Sequence, residues 1–267
     1  MTARKVEFLS EGQKIKGVLY LHKKSPLIII CHGFTGNKDT RIMRFLSGFL
    51  YKNGYSVLKF DFRGSGESEG EFTGVKDEVD DLKQAYRFAR NYSKKIILLG
   101  HSLGGGIIAL SKIKPRAVIM INPAFSAEFA AFSFLRRAIP FFWIQKIFKK
   151  IHIFTDRTFE EIEAVGRLAS RSFRFRLGEE AIDEANILSV RTIANVHSPL
   201  FLIHGTKDKT IHMGSTKQAY YLAHKPKEIC FIEGADHTFH NYKHKIIAAK
   251  KILSFLSENG LKGTAKK

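Results

Sequence analysis

The chain has 267 residues, 44% hydrophobic and 26% charged, the balance of a globular protein with one large core rather than of a disordered or fibrous chain. Its net charge of +19 brings nucleic acid and anionic surfaces to mind. The lysines are scattered, however, and no zinc-finger or RNA-recognition signature accompanies them, so no specific nucleic-acid partner is expected.

Residues 5–10 and 14–22 alternate apolar and polar side chains around Glu11-Gly12, which predicts an antiparallel hairpin. Residues 26–31 form a third strand that ends on His32-Gly33-Phe34-Thr35-Gly36. Ile42, Phe45, Leu46, Phe49 and Leu50 fall at helical spacing. Residues 55–60 make a fourth strand, followed by the polar turn Asp61 to Gly66 and an amphipathic helix over 75–91. Residues 116–121 read as a buried strand closed by Asn122-Pro123. Further strands are expected at 199–204 and 228–232, with helices over 214–224 and 241–256. Cys31 and Cys230 sit in apolar strand-like runs far apart, so they read as core thiols in a reducing, cytoplasmic setting. No run approaches the roughly 20 apolar residues that span a bilayer, and the first eight residues carry no secretory segment.

The stretch from Lys95 to Leu110 is the most informative one. Ile96 to Leu99 is a short apolar run suited to a strand covered on both faces, and Gly105 to Leu110 suits the buried start of a helix. Between them Gly100-His101-Ser102-Leu103-Gly104 sets a serine on a sharp turn, with glycines two positions before and after it. Crowded backbone leaves no room for side chains at those positions. Free N–H groups at the start of the helix lie where an oxyanion would develop. Gly66-Glu67-Ser68-Glu69-Gly70 has the same pattern without a strand before it or an apolar helix after it, and two glutamates flank Ser68. Ser68 is therefore read as a loop residue and Ser102 as the nucleophile.

A serine hydroxyl needs a base in contact, and that base needs a carboxylate on its other nitrogen. Asp208 and His237 follow strands at 199–204 and 228–232, giving the order serine, acid, histidine. On these motifs the chain resembles the α/β-hydrolases, and within them small capped serine esterases such as the cinnamoyl/feruloyl esterases and monoacylglycerol lipases. The resemblance implies a mostly parallel central sheet with helices on both faces. It also implies a catalytic set of Ser102, Asp208 and His237, with the backbone N–H groups of Phe34 and Leu103 as the oxyanion hole. Asp236 is a rival acid, disfavoured by its adjacency to His237, and His204 and His240 are rivals for the base. His32 is expected to hold its own loop, and Asp61 and Arg63 to order the turn after the fourth strand. No cofactor is implied. His237, His240 and His244 lack the accompanying Cys or H-E-x-x-H helix of a zinc site.

Regular patterning stops from 123 to 196, a separation too long for an ordinary connection. A cap inserted after the sixth strand is expected there, with the core formed by 1–122 and 197–267. This segment opens with a run of phenylalanines from Phe125 to Phe159, has a helical apolar stripe at Ile144, Ile147, Phe148 and Ile151, and alternates over 171–177. It has no tyrosine, which departs from the feruloyl-esterase pattern of a cap tyrosine meeting a phenol. Phe125, Phe141 and Trp143 are expected to line an apolar substrate wall, unless these aromatics are simply the core of the cap. Phe141-Phe142-Trp143 and nearby lysines also suit peripheral contact with an anionic membrane surface. The expected activity is cleavage of small carboxylic esters with an apolar acyl or alcohol group. The same triad on peptides, amides, thioesters or carbon–carbon bonds is the alternative, and a non-catalytic lipid- or partner-binding role is the reading from another class.

Overall fold

A computed structural model describes residues 3–125, 174 and 187–264. Its centre is an eight-stranded sheet: β1 (Ala3–Ser10), β2 (Gln13–Tyr20), β3 (Leu27–Cys31), β4 (Ser56–Phe60), β5 (Ile96–His101), β6 (Ala117–Ile121), β7 (Leu200–Gly205) and β8 (Lys227–Ile232). The spatial order is β1-β2-β4-β3-β5-β6-β7-β8. β2 pairs antiparallel with β1 and β4, and every other neighbouring pair is parallel. The expected hairpin and the mostly parallel sheet are both present.

Period-2 side-chain alternation explains why the central strands read as unbroken apolar runs. Leu27, Ile29 and Cys31 face one core cluster and Ile28 and Ile30 the other. Ile96 and Leu98 divide from Ile97 and Leu99 in the same way. Helices α2 (Val75–Ala89), α3 (Leu103–Ser111) and α4 (Met213–Leu222) cover the first face. Helices α1 (Arg41–Lys52) and α5 (Tyr242–Glu258) cover the second. α3 is buried on almost every side, which is why it shows no amphipathic stripe.

Cys31 is fully buried, but Cys230 is only partly so. The expectation of two core thiols fails at Cys230 because β8 is the last strand of the sheet and carries mostly half-covered side chains.

Most of the segment expected as a cap lies outside the described residues. Of its expected strand over 171–177 only Arg174 is described; its N–H donates to the Gly64 carbonyl at 2.6 Å and its carbonyl accepts from Phe72 N–H at 2.8 Å. At the far end of the segment, a 3-10 helix over Val190–Asn195 packs on α3 and α4 and buries Ile193 completely.

Candidate active site

β5 ends at His101 and α3 begins at Leu103, so a single residue makes the reversal. That residue is Ser102, at φ 54° and ψ −124°, a conformation an L-residue holds only when its surroundings impose it. Ser102 N–H donates to the Ile121 carbonyl on β6, and the Ser102 carbonyl accepts from Gly105 and Ala124, each at 3.0 Å. A Cβ on Gly100 would lie 2.5 Å from the Gly104 carbonyl oxygen, and one on Gly104 would lie 2.5 Å from the carbonyl oxygens of Cys31 and His32. Both glycines are thus fixed by backbone packing. The helix starts two residues earlier than its apolar pattern suggests, because Gly104 is already inside it.

Asp208 lies just past β7, and its Oδ1 accepts from Thr210 and Ile211 N–H at 2.7 and 2.9 Å. Its Oδ2 is 2.7 Å from His237 Nδ1, and His237 Nε2 is 3.1 Å from Ser102 Oγ. Burial alone would raise the Asp208 carboxyl pKa. The hydrogen bond and charge of His237, with the two backbone N–H donors, outweigh burial and hold it below the ordinary value. The rivals are engaged elsewhere. Asp236 binds the His240 ring at 2.8 Å, and His204 is bonded to Thr216 Oγ1 at 2.8 Å and to the Ile211 carbonyl. Ser68 is buried in its turn, donating to the Asp61 carbonyl at 2.6 Å and accepting from Lys16 N–H.

The main chain of His237 is held by two side chains that sequence reasoning did not single out. His101 Nε2 contacts the His237 carbonyl at 2.8 Å, and Asn122 Nδ2 donates to the same oxygen at 2.9 Å. Asn122 Oδ1 in turn accepts from Gly205 N–H at 2.8 Å, so one amide links the ends of β6 and β7 to the histidine loop. It sits at φ 45°, and an asparagine directly after an apolar strand is the signal available in principle, since asparagine is the side-chain-bearing residue most at ease in that conformation. Burial lowers the His101 pKa to about 3, with the His237 charge adding to the effect. The His101 ring is therefore neutral, with Nε2–H as its donor.

On the other side of Ser102 stands the turn after β3. A Cβ on Gly33 would lie 2.8 Å from Ser102 Cβ and 3.4 Å from its Oγ, so this backbone lies directly against the serine. His32 Nε2 accepts from Phe62 N–H at 3.0 Å, which leaves Nδ1 to donate to the Gly33 carbonyl at 2.9 Å. Lys38 locks the turn further, with Nζ 2.6 Å from both Asp61 Oδ2 and Glu67 Oε2. Arg63 orders the turn after β4 through Asp81 at 2.8 Å. Phe34 follows Gly33 and sets its ring edge-on to Phe72. Leu103 is the first residue of α3, where an N–H has no carbonyl one helical turn earlier to bond.

A cavity of about 340 Å³ opens above Ser102 and His237, with Phe34, Ile42, Ala124 and Ile211 among its walls. Phe125 is buried in the core cluster, and Phe141 and Trp143 lie outside the described residues. Among the described residues no group of three or more His, Cys, Asp or Glu side chains could hold a metal ion. No helix among them is long and apolar enough to cross a membrane.

This strand order, with its parallel crossovers and a serine at the β5–α3 reversal, defines the α/β-hydrolase class. Sequence comparison narrows it. A family model described as Serine aminopeptidase, S33 (Hydrolase_4) matches residues 22–243, and the chain belongs to that hydrolase family.

The uncharacterized protein YfhR of Salmonella typhimurium is 27% identical over 214 residues, 79% of this chain and 63% of that protein. The quorum-quenching protein AidA of Acinetobacter baumannii is 32% identical over 111 residues, 38% of this chain and 36% of that one. The chain thus spans less than two thirds of the length of these relatives. Among solved structures, Est1E from Butyrivibrio proteoclasticus superposes with a TM-score of 0.70 at 18% identity, covering 97% of this chain and 99% of that one. A Pyrococcus furiosus esterase superposes with a TM-score of 0.70 at 21% identity, covering 96% and 92%.

Proposed function

We propose that the chain is a serine hydrolase that cleaves carboxylic esters with an apolar acyl or alcohol group through an acyl-enzyme on Ser102. The observation that carries this reading is the continuous line from Asp208 Oδ2 through the His237 ring to Ser102 Oγ, with steps of 2.7 and 3.1 Å.

In the proposed reaction Ser102 Oγ attacks the ester carbonyl while His237 Nε2 takes its proton. Asp208, kept ionised by its donors, fixes the Nδ1–H tautomer and steadies the imidazolium. The N–H groups of Phe34 and Leu103 receive the oxyanion, an interaction whose loss typically costs about 3 kcal/mol of barrier per donor. His237 then returns the proton to the departing alkoxide, and water releases the acyl group by the same steps in reverse roles. The Pyrococcus furiosus esterase that shares the fold supports the ester assignment.

A second reading keeps this acyl-enzyme and changes the leaving group to a thiolate or amine. The family's description as a serine aminopeptidase favours it, as does the thiohydrolase aneE of Aspergillus aculeatus, 33% identical over 141 residues. A series of p-nitrophenyl esters from acetate to palmitate, run beside Ser102→Ala and matched thioester and anilide substrates, separates these readings. A medium-chain ester optimum that vanishes in Ser102→Ala is expected. An optimum at acetate would overturn the apolar-pocket assignment. Turnover confined to the thioester or anilide would overturn the ester assignment.

A further inference from the structure

The described wall of the cavity carries polar as well as apolar side chains. Thr35, Thr40, Arg41, Thr210, Thr238 and His240 line it, and no Asp or Glu does. Three buried basic groups nearby are already paired: Lys38 with Asp61 and Glu67, Lys59 with Asp39, and Arg63 with Asp81. The carboxylates closest to the cavity in sequence are committed as well. Asp39 takes Lys59, Asp208 takes His237, and Asp236 takes His240. Arg41 is different. It is exposed, and it makes no ion pair or side-chain hydrogen bond with any described residue.

A guanidinium that is always charged, lines the cavity above the serine and has no counter-ion among the described residues presents its donors to whatever enters. Its planar fork matches the two oxygens of a carboxylate, and charge-assisted bonds of that kind are about twice as strong as neutral ones. The threonine hydroxyls at positions 35, 40 and 210 tolerate a hydrated anionic group, whereas an all-hydrocarbon acyl chain would make no polar contact with them or with Arg41.

Resting on the assignment of ester cleavage at Ser102, we infer that the natural substrate carries a carboxylate on one side of the scissile ester, and that Arg41 is the specificity-determining residue that binds it. Phe34, Ile42, Ala124 and Ile211 receive the apolar remainder. The substrate class is therefore an amphipathic, anionic ester rather than a wholly neutral one. The chain's net charge of +19 helps draw such a molecule in at low ionic strength.

The test compares matched esters on the wild-type chain, Arg41→Gln and Arg41→Lys. One pair places the charge on the acyl side: the p-nitrophenyl monoester of glutarate against p-nitrophenyl pentanoate. A second places it on the alcohol side: the butyryl ester of 4-hydroxybutyrate against butyl butyrate, followed by pH-stat. The readout is the ratio of kcat/KM for the anionic ester to that for its neutral partner. For at least one pair, Arg41→Gln is expected to lower this ratio tenfold or more, chiefly through KM, while Arg41→Lys retains part of it. Raising the salt to 0.5 M should shrink the wild-type ratio toward that of Arg41→Gln. A ratio that Arg41→Gln leaves within twofold for both pairs would overturn the inference while leaving ester cleavage standing. Absence of Ser102-dependent cleavage of every ester, neutral ones included, would defeat the underlying function and the inference with it.

Discussion

Asn122 gives the sharpest test of how this site is held together. Its amide accepts from Gly205 N–H at 2.8 Å and donates to the His237 carbonyl at 2.9 Å, from a fully buried position at φ 45°. In Asn122→Ala, Gly205 N–H loses its acceptor inside the protein, at about 1–3 kcal/mol. Alanine also bears a left-handed backbone less well than asparagine, which adds about 1 kcal/mol. The sum, about 2–4 kcal/mol, corresponds to a fall in Tm of roughly 5–15 °C for a domain of this size. Asn122→Asp separates the two functions. It keeps an acceptor for Gly205 and tolerates the backbone angle, but it sets an oxygen against the carbonyl of His237. A carboxyl group buried here carries its own cost in stability, so the readout is kinetic: kcat on a p-nitrophenyl ester should drop by about 10²-fold, the cost of a base displaced by about 1 Å. Calorimetry and steady-state kinetics on both variants supply the data. If Asn122→Asp keeps wild-type kcat, or Asn122→Ala keeps its Tm within 2 °C, the idea that this amide positions His237 is wrong.

Three further outcomes are expected. Gly33→Ala places a methyl 2.8 Å from Ser102 Cβ, so activity should fall at least about 100-fold with the circular dichroism spectrum retained; near-native kcat would show that the turn yields. The two matching serines should behave in opposite ways. Ser102→Ala should abolish turnover at unchanged stability, whereas Ser68→Ala should keep turnover and lose about 1–2 kcal/mol, because Lys16 N–H is left without its hydroxyl acceptor; urea melts and rates on both variants decide this.

The third outcome concerns acid. Folded His101 takes its proton near pH 3, against an ordinary value of 6.5. Between those values the unfolded chain binds the additional proton, so stability is fully present above pH 6.5. It falls as pH drops through the window, by at most about 1.4 kcal/mol per pH unit. Burial lowers His32 and His204 in the same sense. His101→Gln, which keeps an N–H for the His237 carbonyl but cannot titrate, should flatten this acid limb in denaturant titrations from pH 7 to 4. An unchanged slope would rule out a buried neutral His101.

What was legible in the sequence is what local chemistry dictates. Continuous apolar runs announced strands covered on both faces, and helical spacing announced α1 and α2. The glycines flanking Ser102 announce a turn too crowded for side chains, and the flanks of Ser68 lack that strand and helix. Asp208 and His237 could be named because each follows a strand at the sheet's carboxyl edge. The remainder depends on segments far apart in sequence meeting in space, which no periodicity encodes. That Asp236 serves His240 rather than His237 was settled by loop geometry. The grip of His101 and Asn122 on the His237 carbonyl spans more than a hundred residues of chain. Cys230 looks like its neighbours in a core run, and only the position of β8 at the sheet edge leaves it half exposed. Arg41 reads in sequence as one more surface cation. Its distinction lies in its place on the cavity wall, beside Lys38, Asp39 and Asp236 that already hold partners, and that is a property of the folded arrangement alone.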